Sequence, residues 1–138
     1  MTGIYEHSLD AKGRLFIPAK LRDDLGEVFY VTLSSEPCLS AYSSEVWERM
    51  KEKVSAMNRI AQKKARPIFS HAARCELDGQ GRILLPQNLR DFAKLTKDIT
   101  VVGIGNSVEI WDKETWAAVD SAETTPENIE QVFMELDF

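Results

Sequence analysis

One cassette occurs twice in this chain: Leu9 to Asp23 reads LDAKGRLFIPAKLRD, and Leu77 to Asp91 reads LDGQGRILLPQNLRD. Nothing else in the 138 residues limits the fold as much, because the same local shape must be accommodated twice in one small protein. Each copy places Asp four residues before Arg with Gly between, as Asp10, Gly13 and Arg14 and as Asp78, Gly81 and Arg82. An Asp side chain bonds backbone amides two residues on, and Gly takes the left-handed conformation that closes a short loop, so each copy predicts a tight β-hairpin tip. The runs RLFIP and RILLP read as short strands, stopped by Pro18 and Pro86, which lack the amide hydrogen a sheet requires. Proline also suits a first helical turn, and Leu21 with Leu25, and Leu89 with Ala93, stand at helical spacing.

The duplication extends past the cassette. VFYVTLSSEPCLSAY and ITVVGIGNSVEIW each read as two strands around a turn, Ser34 to Pro37 in one and Gly105 to Ser107 in the other. A helix follows in each half, capped by Ser43 or Ser44 and by Asp112. Trp47 and Trp116 lie 69 residues apart, against 68 for Asp10 and Asp78, so one inserted residue relates the halves. Repeat one covers about residues 3–57 and repeat two about 71–122. A connecting helix occupies about 58–70 and reads as helical up to about Arg66, where Pro67 ends or kinks it. A last helix, about 125–138, begins at Thr125 before Pro126 and puts Ile129, Val132, Phe133 and Leu136 on one face. Such a helix caps the core or contacts another subunit.

Two copies are too few for a solenoid, and each has too few strands to close a barrel by itself. The expectation is a single α+β domain over residues 1–138, mainly β in its core, in which two halves interleave their hairpins about a pseudo-twofold axis, leave no exposed edge and carry flanking helices.

Composition excludes several function classes. Hydrophobic residues at 43% and charged residues at 28% belong to an ordinary soluble globular protein. No apolar run approaches the ~20 residues of a membrane span, and MTGIYEHSLD is no secretory leader, so a cytoplasmic protein without a membrane partner is expected. Cys38 and Cys75 have neither metal-site nor disulfide-framework spacing and read as reduced thiols. His7 and His71 fall at unrelated repeat positions, and GIGNS lacks the third glycine of a dinucleotide fingerprint. No enzyme, cofactor, metal or small-molecule substrate is expected. The net charge of -5 argues against nucleic acid, yet it is unevenly spread. Arg49 to Arg74 contains eight Lys/Arg against Glu52, whereas Glu109 to Phe138 contains nine Asp/Glu against Lys113.

The doubled Asp-x-x-x-Arg pair has a structural reading, a cross-strand ion pair at the tip, and a functional one, arginine forks reaching phosphates or guanine edges from a ribbon in the major groove. Lys12 favours the second reading for the first copy, where the second has uncharged Gln80.

LDAKGRLFIPAKLR together with CELDGQGRILLPQNLR and the matched tryptophans resembles the MraZ family of bacterial regulators, over nearly the whole chain from Gly3 to about Phe133. The resemblance implies an AbrB-like swapped-hairpin, or double-split, β-barrel and a ring-like homo-oligomer. It also implies a cytoplasmic, nucleoid-associated regulator that binds short direct repeats in double-stranded DNA upstream of its own division and cell-wall gene cluster. Carried over residue by residue, the DNA-binding positions are Asp10, Lys12, Gly13 and Arg14, with Asp78, Gly81 and Arg82. A ring would hold several weakly basic tips at fixed spacing and so raise the effective concentration of each once one has bound. The competing classes are a scaffold without DNA and an antitoxin-like partner-binding module on the same fold.

Overall fold

Each repeat folds into the same run of elements, and most of its strands pair outside the repeat. In the computed structural model, which describes residues 1–137, the first run is β1 (Thr2–Ser8), β2 (Arg14–Phe16), α1 (Ala19–Leu25), β3 (Val28–Leu33), β4 (Leu39–Ser43), α2 (Ser44–Ser55) and α3 (Arg59–Ser70). The second is β5 (Ala73–Glu76), β6 (Arg82–Leu84), α4 (Gln87–Phe92), β7 (Asp98–Ile104), β8 (Val108–Asp112), α5 (Lys113–Glu123) and α6 (Pro126–Glu135). Phe138, the last residue of the predicted C-terminal helix, lies outside the described residues. No helix among the described residues is long and apolar enough to cross a membrane.

The result is a mixed α+β fold whose six-stranded sheet runs β1-β7-β8-β4-β3-β5, with β2 and β6 forming a separate two-stranded ribbon. All pairs are antiparallel. The halves exchange strands: β1 lies along β7, and β5 along β3. Like strands meet across the pseudo-twofold, β4 on β8 and β2 on β6. The ladder ends at β1 and β5. Consequently the predicted hairpins are only one bridge deep. Leu9 faces Leu15, the Asp10 amide donates to the Arg14 carbonyl at 3.0 Å, and beyond that point β1 and β2 part to find partners in the other repeat.

The core repeats the sequence symmetry. Leu15 and Ile83, Ile17 and Leu85, Leu21 and Leu89, and Leu25 and Ala93 are buried equivalents 68 residues apart, whereas the strand registers match Phe29 with Ile99 and Val31 with Val101, 70 apart. Leu39 with Val108 and Ala41 with Ile110 are buried equivalents 69 apart. The single inserted residue read from the sequence is thus a net figure: two extra residues precede β7, and the turn between β7 and β8 is one residue shorter than that between β3 and β4. The short helices α1 and α4 close the ends of this core through Leu21 and Leu25, and through Leu89 with Ala93 at the end of α4, each at most 2% exposed.

The connecting helix, α3, runs from Arg59 to Ser70, within the bounds expected for it, and Pro67 does not end it at Arg66. Proline in the last turn removes one intrahelical bond, and that turn is held from outside. Phe69 meets Trp47 edge-on at 5.2 Å, Trp47 stacks on Tyr30 at 5.1 Å, and the Thr32 hydroxyl donates to the Ile68 carbonyl. Ser43 caps α2, accepting from the Val46 amide at 3.3 Å, and Thr125 caps α6, accepting from Asn128 at 3.3 Å. Asp112 occupies the N-cap position of α5 but spends its carboxylate on the amide and hydroxyl of Thr96, at 2.9 and 2.6 Å.

Candidate functional site

The two hairpin tips are built alike. Asp10 Oδ1 accepts from the amides of Lys12 (3.0 Å) and Arg14 (2.8 Å), and its Oδ2 accepts from Arg14 Nε at 2.6 Å. Asp78 does the same with Gln80 (2.8 Å), Arg82 (2.9 Å) and Arg82 Nε (2.9 Å). The loops close at Gly13 and Gly81, whose φ of +83° and +76° disfavour any side chain. The amide of Arg14, helped by its guanidinium and the Lys12 amide, holds the Asp10 carboxyl below its ordinary range against a smaller desolvation effect. The Arg82 amide, then that of Gln80 and the Arg82 guanidinium, do likewise for Asp78. The cross-tip ion pair of the structural reading is thus present, and it fixes each arginine through Nε.

Strand exchange brings the tips together. In the ribbon, Arg14 stands opposite Leu84 and Phe16 opposite Arg82. Leu15 and Ile83 point into the core, so Arg14, Phe16, Arg82 and Leu84 share the outer face. Arg82 Nη1 lies 3.9 Å from Asp10 Oδ2, which links one tip to the other. Arg14 is 35% exposed and Arg82 26%, half-buried rather than free at a loop end, whereas Lys12 and Gln80 are fully on the surface.

A second pair of arginines was not among the sequence candidates. Arg22 Nε donates to the Ile17 carbonyl at 2.7 Å and its guanidinium lies 4.5 Å over the Phe16 ring. Arg90 Nε donates to Leu85 at 2.9 Å. Each covers the glycine of the opposite repeat: a Cβ on Gly81 would collide with Arg22 Cζ, and one on Gly13 would lie 3.0 Å from both Arg90 Cζ and the Leu85 carbonyl. The amides of Ile17 and Leu85 donate to the carbonyls of Gly81 and Gly13, at 2.9 and 2.8 Å, locking each tip to the other repeat's β–α junction. The signal was in the cassette, which repeats LRD at Leu21 and Leu89. Its importance shows only when the halves cross.

Elsewhere, Cys38 and Cys75 are buried free thiols, and burial pushes each up to about 12. Among the described residues no group of three His, Cys, Asp or Glu side chains is placed to hold a metal ion. What the ribbon presents is a pair of oriented guanidinium groups with apolar neighbours on an exposed two-stranded element, with Lys12 beside one of them.

A family model described as "MraZ protein, putative antitoxin-like" matches the chain twice, over residues 1–66 and 68–132. Each match takes in one complete run of elements through to the greater part of α3 or α6.

Proposed function

We propose that this chain, which belongs to the MraZ family, is a transcriptional regulator that reads short direct repeats upstream of its own gene cluster with the β2–β6 ribbon. The observation that carries the reading is the convergence of Arg14 and Arg82 on one outer face, each held by an Asp through Nε. A two-stranded ribbon fits the major groove, and an arginine fork pairs with the O6 and N7 of guanine or with phosphate. The aspartates orient; the arginines contact; Lys12 adds a phosphate contact to the first tip. Gly13 and Gly81 allow the loops that set this geometry. The exchanged pairs β1–β7 and β5–β3, with the cross-repeat β2–β6 ribbon, support a swapped-hairpin scaffold, although the six-stranded ladder itself ends at β1 and β5. Self-association into a ring supplies several ribbons to several boxes. A partner-binding module without DNA is the rival reading, and it is favoured by the exposed apolar face of α6.

The deciding test is an electrophoretic shift on the upstream DNA with the parent, Arg14→Ala and Arg82→Ala chains. Removing one base contact corresponds to about 1–3 kcal/mol, or roughly ten- to a hundredfold in affinity, while a surface substitution changes folding stability by less than about 0.5 kcal/mol. Arg14→Ala binding as tightly as the parent defeats the assignment. A parent that ignores its promoter but brings down a stoichiometric protein partner supports the rival.

A further inference from the structure

We infer that Lys97 grips a DNA phosphate beside the first tip, and that Glu27, its counterpart beside the second, holds the phosphate off, so that the two tips divide the binding unequally. The inference deepens the DNA reading above and rests on it. Each tip leans on the entry to a strand of the other repeat. The Leu9 amide donates to the Lys97 carbonyl at 2.8 Å, and the Leu77 amide donates to the Glu27 carbonyl at 3.0 Å. Lys97 and Glu27 each stand one residue before a strand, β7 and β3, so the pseudo-twofold places them alike. Their equivalence is hidden in the sequence, where they lie 70 residues apart rather than the 68 that separate Asp10 and Asp78.

A hollow flanks each tip at this point. The one beside Asp10 has a volume of about 470 Å³ and is lined by Arg90 and Lys97. The one beside Asp78, of about 550 Å³, is lined by Arg22, Asp23 and Glu27. Arg22 and Arg90 are equivalent, each anchored through Nε on a backbone carbonyl, and do not tell the hollows apart. Nor do the tip aspartates, each of which is bound to its own arginine. The remaining side chains differ in sign. Lys97 is exposed and forms no ion pair among the described residues. Glu27 and Asp23 instead put two carboxylates on the rim of the other hollow. Asp91, the counterpart of Asp23, accepts from Gln87 at 2.7 Å and does not line the first hollow. Lys12 and Gln80 differ in the same sense on the tips themselves, while Lys20 of α1, where α4 has Asn88, lines neither hollow.

A ribbon in the major groove has phosphates on both sides, one strand's beside each tip. A cation at a phosphate releases a condensed counterion and fixes the protein on the backbone, whereas a carboxylate there is repelled. Lys12 and Lys97 therefore seat the first tip, and Arg14 with it; Glu27 and Asp23 loosen the seat of the second. Such a contact carries no base information, so its loss should weaken binding to every sequence alike.

The test is a filter-binding salt series with the full chain on the upstream promoter fragment and on an unrelated fragment of the same length. Circular dichroism melts and masses from light scattering should match the parent in every variant, since the substituted side chains are exposed. Lys97→Ala should make the salt dependence shallower by about 0.9 and, at about 0.1 M salt, weaken binding on the order of eightfold on both fragments. Glu27→Lys should do the reverse, steepening the salt dependence and tightening binding by a similar factor. Glu123→Lys makes the same change in net charge on α5, whose Trp116 packs across the six-stranded sheet from the core that holds the ribbon, and should do neither. Lys97→Ala binding as the parent does while Arg14→Ala loses affinity overturns this inference alone, as does Glu27→Lys binding no tighter than Glu123→Lys. A parent that binds neither fragment overturns the DNA reading and this inference with it.

Discussion

At the scale of single residues, the aspartates of the tips are the informative ones, because their charge is wrong for DNA and their geometry is right. Asp10 Oδ1 and Oδ2 together accept three bonds, two of them from Arg14. Both carboxyls are held below their ordinary range. A carboxyl depressed in the folded state lends stability that is complete above its unfolded value of about 3.9 and is lost as the pH falls through the lowered one. Acidification followed by NMR should therefore move the Gly13 and Gly81 amides with midpoints below about 3.9; midpoints at or above that value would contradict the bonding. Asp10→Ala should weaken promoter binding although it removes a negative charge, since an unanchored Arg14 must be ordered as it meets the DNA. The two tips should also differ. Lys12→Ala should lower the salt slope of binding by about one unit for each phosphate that the lysine neutralises, and Gln80→Ala should leave it nearly unchanged; equal slopes in a filter-binding series would show that the tips share the work evenly.

Elements obey local rules except where tertiary contacts outweigh them, and α3 is the clearest case. The sequence there reads as helical, and in the structure Asn58 caps the helix, its Oδ1 accepting from the Ala61 amide at 2.9 Å. Proline inside a helix costs ~3 kcal/mol, enough to end one on local grounds. Here the aromatic cluster of Tyr30, Trp47 and Phe69 and the Thr32 bond reward the extra turn. Pro67→Ala should therefore raise the melting temperature, by an amount equivalent to at most about 3 kcal/mol, since it restores one amide donor at an exposed position without touching those contacts. A lower melting temperature in a thermal scan would mean that proline serves the helix in a way the contacts do not explain.

For the whole molecule the proposed DNA binding requires that a chain of net charge -5 hold a polyanion. One ribbon bearing Arg14, Arg82 and Lys12 is a small positive feature, and non-specific binding of such a unit is of the order of 10⁻⁴–10⁻⁶ M at physiological salt. Several ribbons on one assembly raise avidity by about 10²–10⁴ without further bonds to DNA from any one ribbon, provided they engage together. Binding should tighten steeply from one-box to multi-box promoter fragments. Inserting half a helical turn, roughly 5 base pairs, between boxes should weaken it, because neighbouring boxes then face opposite sides of the duplex. Titrations at fixed salt decide the matter: a single box bound as well as the array would refute avidity.

Much of this was legible in the sequence, for a physical reason. Turn and strand chemistry are local, so Asp-x-x-Gly-Arg, the following branched residues and Pro18 and Pro86 determine two tips, two short strands and two helix starts wherever the chain goes. The duplication determines that the buried residues come in equivalent pairs, and Leu21, Leu25, Leu89 and Ala93 are buried as the helical spacing requires. Which strand pairs with which was not local. β1 on β7, β5 on β3 and the β2–β6 ribbon join segments far apart in the chain, from halves that local pattern leaves interchangeable, and only burial of both apolar faces at once selects them. That selection put Arg14 and Arg82 on one face, and it laid Arg22 and Arg90 over the glycines of the opposite repeats. It also separated α3 from α6: their places in the repeat are the same, but one lies on an aromatic-lined surface and the other is exposed along its whole length.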